Sequence, residues 1–379
     1  MNRPLDLLET AELVAAEFAV EAVALDRAGV FPSANFRRLH EAGLLVITAP
    51  RALGGREASI AEAGAVIGAI AKAEPSTALI LAMQYIQLAT LPKGRAPLQL
   101  VQKIVGSAVR EGALINAFRV EPDLGTPLRG GLPATVAEKT SNGWRVSGRK
   151  IYSTGAAGVT WAVVWARTNE IAPRVGGFVV PMDSPGVTIE RTWDQLGMRA
   201  TASDDVIFDR VEIPENHELD VRQPGDWGSP DERQASLHAV FIPSLYDGVA
   251  RAARDWLIGF LKARRPSNLG DALASVPRIQ QAVGEIEELL AVNRRLLRSA
   301  AEDADAGRHL SASEGGLLKL TVTENAITVV EKALKLTGNH GISRANPLER
   351  HYRDVLCARI HSPQEDSVRS LAGRIALGI

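Results

Sequence analysis

The rhythm of apolar and polar positions changes twice along this chain. From about Thr10 to Gly112, apolar residues recur at helical spacing. Glu12 to Val20 carries that spacing, and Pro32 to Gly43 reads as a cap, a helix and a glycine stop. Ile60 to Lys72 and Ser76 to Thr90 predict two apolar helices, with a turn before them at Pro50 to Gly55. Pro92 to Pro97 punctuates the chain before another helix, Leu98 to Arg110.

From roughly Ala113 to Leu219 the period shortens. ATVAEKT (134–140) and WRVSG (144–148) alternate apolar with polar residues across Ser141-Asn142-Gly143, a strong hairpin signal. TWAVVWART (160–168) is an apolar run suited to a buried strand. Pro214, Pro224, Gly225 and Pro230 then crowd together, and helical spacing returns. Val249 to Lys262, Arg278 to Gly307, Ser313 to Thr337 and the chain from Arg350 onward carry it, with a further helix at His238 to Gly248. The chain is therefore read as α+β and multidomain: an N-terminal helical domain at 1–112, a middle β-domain at 113–225 and a C-terminal helical domain at 226–379. Long exposed helical faces favour a homo-oligomer.

Two stretches at the rim of the β-domain stand out, RVEPDLGT (119–126) and GRKIYSTGA (148–156). Polar, glycine-containing loops on a stiff sheet suit a planar polar ligand, because backbone N–H groups can approach it closely.

Composition narrows the function classes. The 379 residues are enough for two or three packed units, and 46% apolar content is ordinary for a globular protein. A net charge of −1 gives no global electrostatic case for nucleic acid or an anionic membrane. A single cysteine, Cys357, excludes an intrachain disulfide and a cysteine-rich zinc site. The first residues carry Asp6, Glu9 and Glu12 where a signal peptide needs an apolar run, and no apolar run is long enough to span a bilayer. A cytoplasmic protein is expected. HExxH, a Walker A loop and a GxGxxG after a strand are all missing from the sequence, and the histidines have no metal-ligand spacing.

Five pieces, in order, resemble the acyl-CoA dehydrogenase superfamily of flavoproteins. They are Val120-Glu121-Pro122-Asp123-Leu124-Gly125-Thr126, Gly148 to Ala156, Gly197-Met198-Arg199-Ala200-Thr201 with Val206 to Pro214, Lys335 to Asn339, and Arg350-His351-Tyr352-Arg353-Asp354. The turn at Pro50 to Gly55 is also similar to a family loop. The resemblance implies a middle β-barrel-like domain, a C-terminal four-helix bundle and a homo-tetramer or dimer. It implies bound FAD, with FMN as the alternative. Thr154 matches the position that meets the flavin N5 edge, next to Ser153, and Tyr152 matches the aromatic lying against the ring. Thr126 matches a hydroxyl near the pyrophosphate. Val120 stands where the family has Thr, so one hydrogen bond to the ring is lost. Gly338 and Asn339 are similar to a turn that contacts the adenosine half of FAD in a neighbouring subunit, and Arg265 to an arginine loop that reaches a neighbour's flavin.

The family's catalytic glutamate aligns with Ser362, which is no substitute for a carboxylate. An alternative base position on an earlier helix falls near His238, followed by Ala239 in place of arginine. Loss of a positioned base costs roughly 10²–10⁴ in rate. The segment Arg353-Asp354-Val355 with His361-Ser362-Pro363 is similar to the flavin-dependent monooxygenase branch, which includes dibenzothiophene monooxygenase-like enzymes. On that reading His361 is the polar catalytic group, with Ser362 beside it, and a separate flavin reductase supplies electrons to act on a small-molecule substrate. Two alternatives stand: a dehydrogenase whose base has moved to Glu365 or Asp366, and a catalytically silent member used for binding or assembly. Tyr85, Phe241 and Tyr246 are candidates for the substrate pocket wall.

Overall fold

The computed structural model describes residues 6–124, 131–227 and 231–379. Five helices come first: α1 (Leu7–Ala28), α2 (Ser33–Glu41), α3 (Ile60–Ala73), α4 (Pro75–Thr90) and α5 (Leu98–Glu111). Their ends follow from local chemistry. Asp6 with Glu9, and Ser59 with Glu62, form reciprocal capping boxes at the starts of α1 and α3. The Glu74 carboxylate accepts the Ser76 and Thr77 amides at the start of α4, where Pro75 costs nothing because its missing N–H is an orphan position. Helix α4 is apolar nearly all round and is buried accordingly.

Seven strands follow among the described residues: β1 (Leu114–Phe118), β2 (Val136–Thr140), β3 (Gly143–Lys150), β4 (Val159–Thr168), β5 (Val175–Pro181), β6 (Val187–Glu190) and β7 (Asp205–Pro214). The expected hairpin is β2–β3, with Thr140 opposite Gly143 across the two-residue turn. Strand β4 is the spine of the sheet. Along one edge it pairs in parallel first with β1, through Val164, and then with β2, from Arg167. Along its other edge it pairs antiparallel with β5. The sheet continues from β3 to β7 and β6. Trp144 of β3 meets Phe178 of β5 edge to face at 5.2 Å, although these strands are not ladder neighbours. The sheet therefore curls over its own buried side chains and is barrel-like.

The remaining elements are α6 (Glu232–Ala263), α7 (Pro277–Asp305), α8 (Ala312–Thr337), α9 (Asn339–Ile342), α10 (Leu348–Leu356) and α11 (Glu365–Leu377). Helices α6, α7 and α8, with the C-terminal pair α10 and α11, form the four-helix bundle. The two stretches read separately at His238 to Gly248 and Val249 to Lys262 are one 32-residue helix, α6, that also takes in residues from Glu232 and runs through Pro243. Proline in a helix interior removes one backbone bond, and tertiary packing supplies the rest. Here α3 packs closely on α6. A Cβ at Gly248 would lie 2.5 Å from the Gly68 carbonyl oxygen, and one at Gly64 3.2 Å from Val240. The crossing joins the N-terminal helices to the bundle through small residues. Among the described residues, no helix is long and apolar enough to cross a membrane.

Gly248→Ala is expected to overpack this crossing and cost about 1–3 kcal/mol. Urea unfolding followed by circular dichroism measures it, and an unchanged midpoint contradicts the close-crossing account.

Candidate functional site

The site starts where the chain leaves β1. After Phe118 come Arg119, Val120 and then Glu121, whose carboxylate is buried and fully engaged. It accepts the Ala134 and Thr135 amides at 2.6 and 3.0 Å, the Thr135 hydroxyl at 2.6 Å and the Lys150 ammonium at 2.6 Å. Lys150, at the end of β3, also donates to the Trp165 carbonyl at 2.5 Å. Trp165 lies between the part of β4 paired with β1 and the part paired with β2, so the ammonium fills the break in the ladder. The two side chains are 2% and 0% exposed. Burial raises the Glu121 pKa, but the hydrogen bonds from Lys150 and Thr135 and the Lys150 charge outweigh it and hold the group below the ordinary Glu value. Burial pulls Lys150 down to about 8 against the opposing pull of Glu121. The Glu-Pro and Gly-Arg-Lys stretches are thus two ends of one buried ion pair. The sequence reading singled out neither charge, although both stand inside the motifs it quoted.

Past Lys150 the Ile151 amide returns to the Val120 carbonyl at 3.0 Å, which lays the two loops side by side. Tyr152 then takes a left-handed conformation, φ +55°, with its ring 57% exposed and set edge to face on Trp193 at 6.2 Å. A bulky residue held there costs on the order of 1–3 kcal/mol, a kind of strain that clusters at functional sites. Ser153 is buried, its amide on the Asp204 carbonyl. The Thr154 carbonyl accepts the Asn116 amide at 2.9 Å, and its hydroxyl lies in a chain with Ser203 and Thr201. Val120 is half-buried beside them. Thr126 lies outside the described residues.

The C-terminal Arg-Asp motif secures this rim from behind. Asp354 accepts the Met198 amide at 2.7 Å, and Gly197 lies so close that a Cβ there would fall 2.3 Å from the Arg353 carbonyl oxygen. Arg353 itself is held by Asp26 and Glu349. Burial lifts the Asp354 carboxyl to about 7. The loop so anchored carries Trp193, Thr201 and Ser203 to the loop of Tyr152 and Thr154.

On the helical side, the His361 imidazole Nδ1 bonds the Tyr246 hydroxyl at 2.8 Å. Lys319 of α8 donates to the carbonyls of Ala358, His361 and Pro363 at 2.9, 2.9 and 3.3 Å, capping the turn that carries the ring. Burial, then the charge of Lys319, then His238 push His361 down to about 4. Burial and the charge of Arg119 push His238 down to about 4. Both imidazoles are therefore neutral near pH 7, and the effects of Arg119 on His238 and of His238 on His361 link the three groups; Arg119 lies over the Trp165 ring at 5.8 Å. Ser362 is exposed. Glu365 and Asp366 are also exposed, in the first turn of α11, where Glu365 pairs with Arg369 and Asp366 accepts the Ser367 amide. Tyr85 and Phe241 are fully buried and pack on each other, and the Tyr85 hydroxyl is spent on the Leu44 carbonyl. They belong to the core, and only Tyr246 reaches the cluster.

Arg265 is exposed and paired with Asp271, and Gly338 has φ +54° with open space around it. Phe260 at the end of α6 meets His340 of α9 at 5.1 Å, so both segments lie at one end of the bundle. No hydrogen bond or ring contact links them to Tyr152, Ser153 or Thr154 among the described residues. No group of three His, Cys, Asp or Glu is placed to hold a metal ion among those residues.

The chain matches the acyl-CoA dehydrogenase N-terminal domain over residues 7–92, the middle domain over 119–211 and the C-terminal domain over 243–365. It is 34% identical to the putative acyl-CoA dehydrogenase YdbM of Bacillus subtilis, covering 94% of this chain and 92% of that one. The chain belongs to the acyl-CoA dehydrogenase family. Another family relative is the L-evernosamine nitrososynthase of a Micromonospora species, 29% identical over 95% of this chain and 87% of that protein. The solved structure of KijD3 with FMN and dTDP-3-amino-2,3,6-trideoxy-4-keto-3-methyl-D-glucose superposes with a TM-score of 0.87 at 28% identity, covering 98% of this chain and 93% of that one. The family's flavin suits the rim described above. The exposed Tyr152 and the half-buried Trp193 offer ring surfaces, and Thr154 offers a hydroxyl beside a backbone turn with close access.

Lys150→Met leaves the Glu121 carboxylate buried without its cation and is expected to cost about 3–5 kcal/mol by urea unfolding. The pair also sets a sign in acid. The depressed Glu121 pKa contributes stability that is present above the ordinary Glu range and is lost as pH falls through the lower folded value. The acid limb of stability against pH is expected to be shallower in Glu121→Gln.

Proposed function

We propose that this family member is a flavin-dependent oxidoreductase whose reaction is of the monooxygenase kind. The observation that carries the reading is the His361–Tyr246 pair in the helical wall, with a neutral imidazole near the place where the family keeps a carboxylate. Tyr152, Ser153, Thr154, Val120 and Thr126 would hold the flavin, FAD or alternatively FMN. Arg265, Gly338 and Asn339 would serve the adenosine half in a second copy of a dimer or tetramer. When bound and reduced by a separate reductase, the flavin supplies two electrons to O₂, so that one oxygen atom passes to the substrate and the other leaves as water.

The side chains divide the remaining work. Tyr246 fixes the orientation of the His361 ring, and Lys319 fixes its backbone. The other ring nitrogen then holds or accepts a proton at a substrate heteroatom. A base whose conjugate acid has a pKa of about 4 is poorly matched to removing a proton from carbon, which desaturation requires. The exposed positions of Glu365 and Asp366 weigh against a relocated carboxylate. His238 stands beside the pair as a second neutral imidazole. Ser362, exposed at the turn, has a smaller part. The likeness to a nitrososynthase and to a structure solved with FMN supports the same reading. The 34% identity to a putative acyl-CoA dehydrogenase favours desaturation as the second reading.

Anaerobic mixing of the flavin-loaded protein with a panel of acyl-CoA thioesters is expected to leave the flavin absorbance unchanged, and bleaching would establish desaturation instead. A protein that takes up flavin in neither redox state is a silent scaffold. In an oxygen-consumption assay with a reductase, His361→Ala is expected to lose roughly 10²–10⁴ in turnover with flavin affinity retained. Full turnover in that variant removes the histidine from the mechanism.

A further inference from the structure

Arg119 is the first residue past the end of β1 and precedes Val120 at the flavin loop. It is exposed, and its guanidinium lies over the Trp165 ring, 5.8 Å from the centroid. Trp165 is itself braced edge to face by Trp227 at 4.8 Å. Other arginines of this domain sit on carboxylates: Arg145 on Glu212, Arg149 on Asp205 and Arg174 on Glu170. Arg119 has no carboxylate partner and makes no hydrogen bond among the described residues. Contact with an aromatic face uses the plane of a guanidinium and leaves its N–H edge available for a bidentate acceptor. Its charge acts on His238, and His238 acts on His361. Although exposed, the guanidinium is crowded enough for burial to lower its pKa, and without a counter-charge its N–H donors are open to an anion.

We infer that Arg119 anchors an oxyanion of the substrate, a carboxylate or a phosphate, in the cleft beside His238 and His361. The inference rests on the cleft being the substrate site of the proposed oxidoreductase. It names the substrate class: a small molecule with an anionic oxygen group close to the atom that reacts. The indoles of Trp165 and Trp227 form the adjoining wall, so the substrate body near the anion is flat or apolar. The lowered pKa of His238 accords with this arrangement, since the uncompensated charge of Arg119 is one of its causes after burial.

The test uses benzoate, phenyl phosphate and neutral benzamide as probes of the flavin-loaded protein, titrated by tryptophan fluorescence and calorimetry. At least one anion is expected to bind more tightly than benzamide, and the better of the two identifies carboxylate or phosphate. Arg119→Gln is expected to weaken that anion about 10–100-fold while leaving benzamide unchanged. Arg119→Lys restores part of the loss, because an ammonium keeps the charge without the fork. Flavin affinity is measured separately on each protein. If Arg119→Gln lowers flavin affinity and spares the anions, or if the wild type prefers neither anion to benzamide, the inference is overturned. Failure of the oxidoreductase reading shows instead as absence of flavin binding in the wild type.

Discussion

The buried ion pair of Glu121 and Lys150 is the constraint on which the site depends. Taking two charges out of water costs several kcal/mol each, and attraction between them offsets this only when every remaining lone pair and proton is satisfied. Here they are. Glu121 collects four donors, and Lys150 adds the Trp165 carbonyl. The location matters as much as the energy. β1 and β2 follow one another along the same edge of β4, and the segment between them includes residues 119–135. The sheet therefore has a break on one edge of β4, and the ion pair closes it. With the break closed, the loop from β1 and the loop from β3 have one relative position, and a flat ligand gripped between them meets a preformed edge.

A second clamp acts between domains. Asp354 on α10 reaches the Met198 amide, and Gly197 permits the approach by having no side chain. The same C-terminal segment turns within a few residues into the loop that carries His361, which Lys319 ties to α8. The β-domain rim and the helical wall are thus registered against one another through one stretch of chain. This gives a physical reason for the Arg-Asp motif apart from any catalytic part: it fixes the β-domain rim relative to the turn that carries His361.

Much of the fold was legible in the sequence. Spacing located the helices, because burial of one face demands it, and Asn142-Gly143 marked the hairpin, where Gly143 opens β3 with φ +152°. What the pattern could not give was tertiary. Pro243 and the polar residues before it divided α6, although packing on the glycines of α3 holds the helix through that point. Tyr85 and Phe241 had the spacing of a pocket wall and proved to be core, since periodicity identifies a buried face without saying what covers it. Glu365 and Asp366 were a plausible shift in register, yet the turn before α11 places them at the surface. Arg119 had no local signal at all. Its significance lies in having no carboxylate partner among the described residues, which can be recognised only in three dimensions.

The electrostatics of the cluster bear on which chemistry it can support. Lys319 acts on His361 and Arg119 on His238, and each charge adds to burial in disfavouring protonation. An imidazole so placed gives up its proton readily and takes one reluctantly. It remains neutral across the physiological range and offers one donor nitrogen and one acceptor nitrogen at fixed positions. This suits a reaction whose reacting heteroatom needs a hydrogen-bond partner and an anionic group held nearby. Removal of a proton from carbon, which the second reading needs, is favoured by a base raised in pKa by burial among apolar neighbours and kept away from cations.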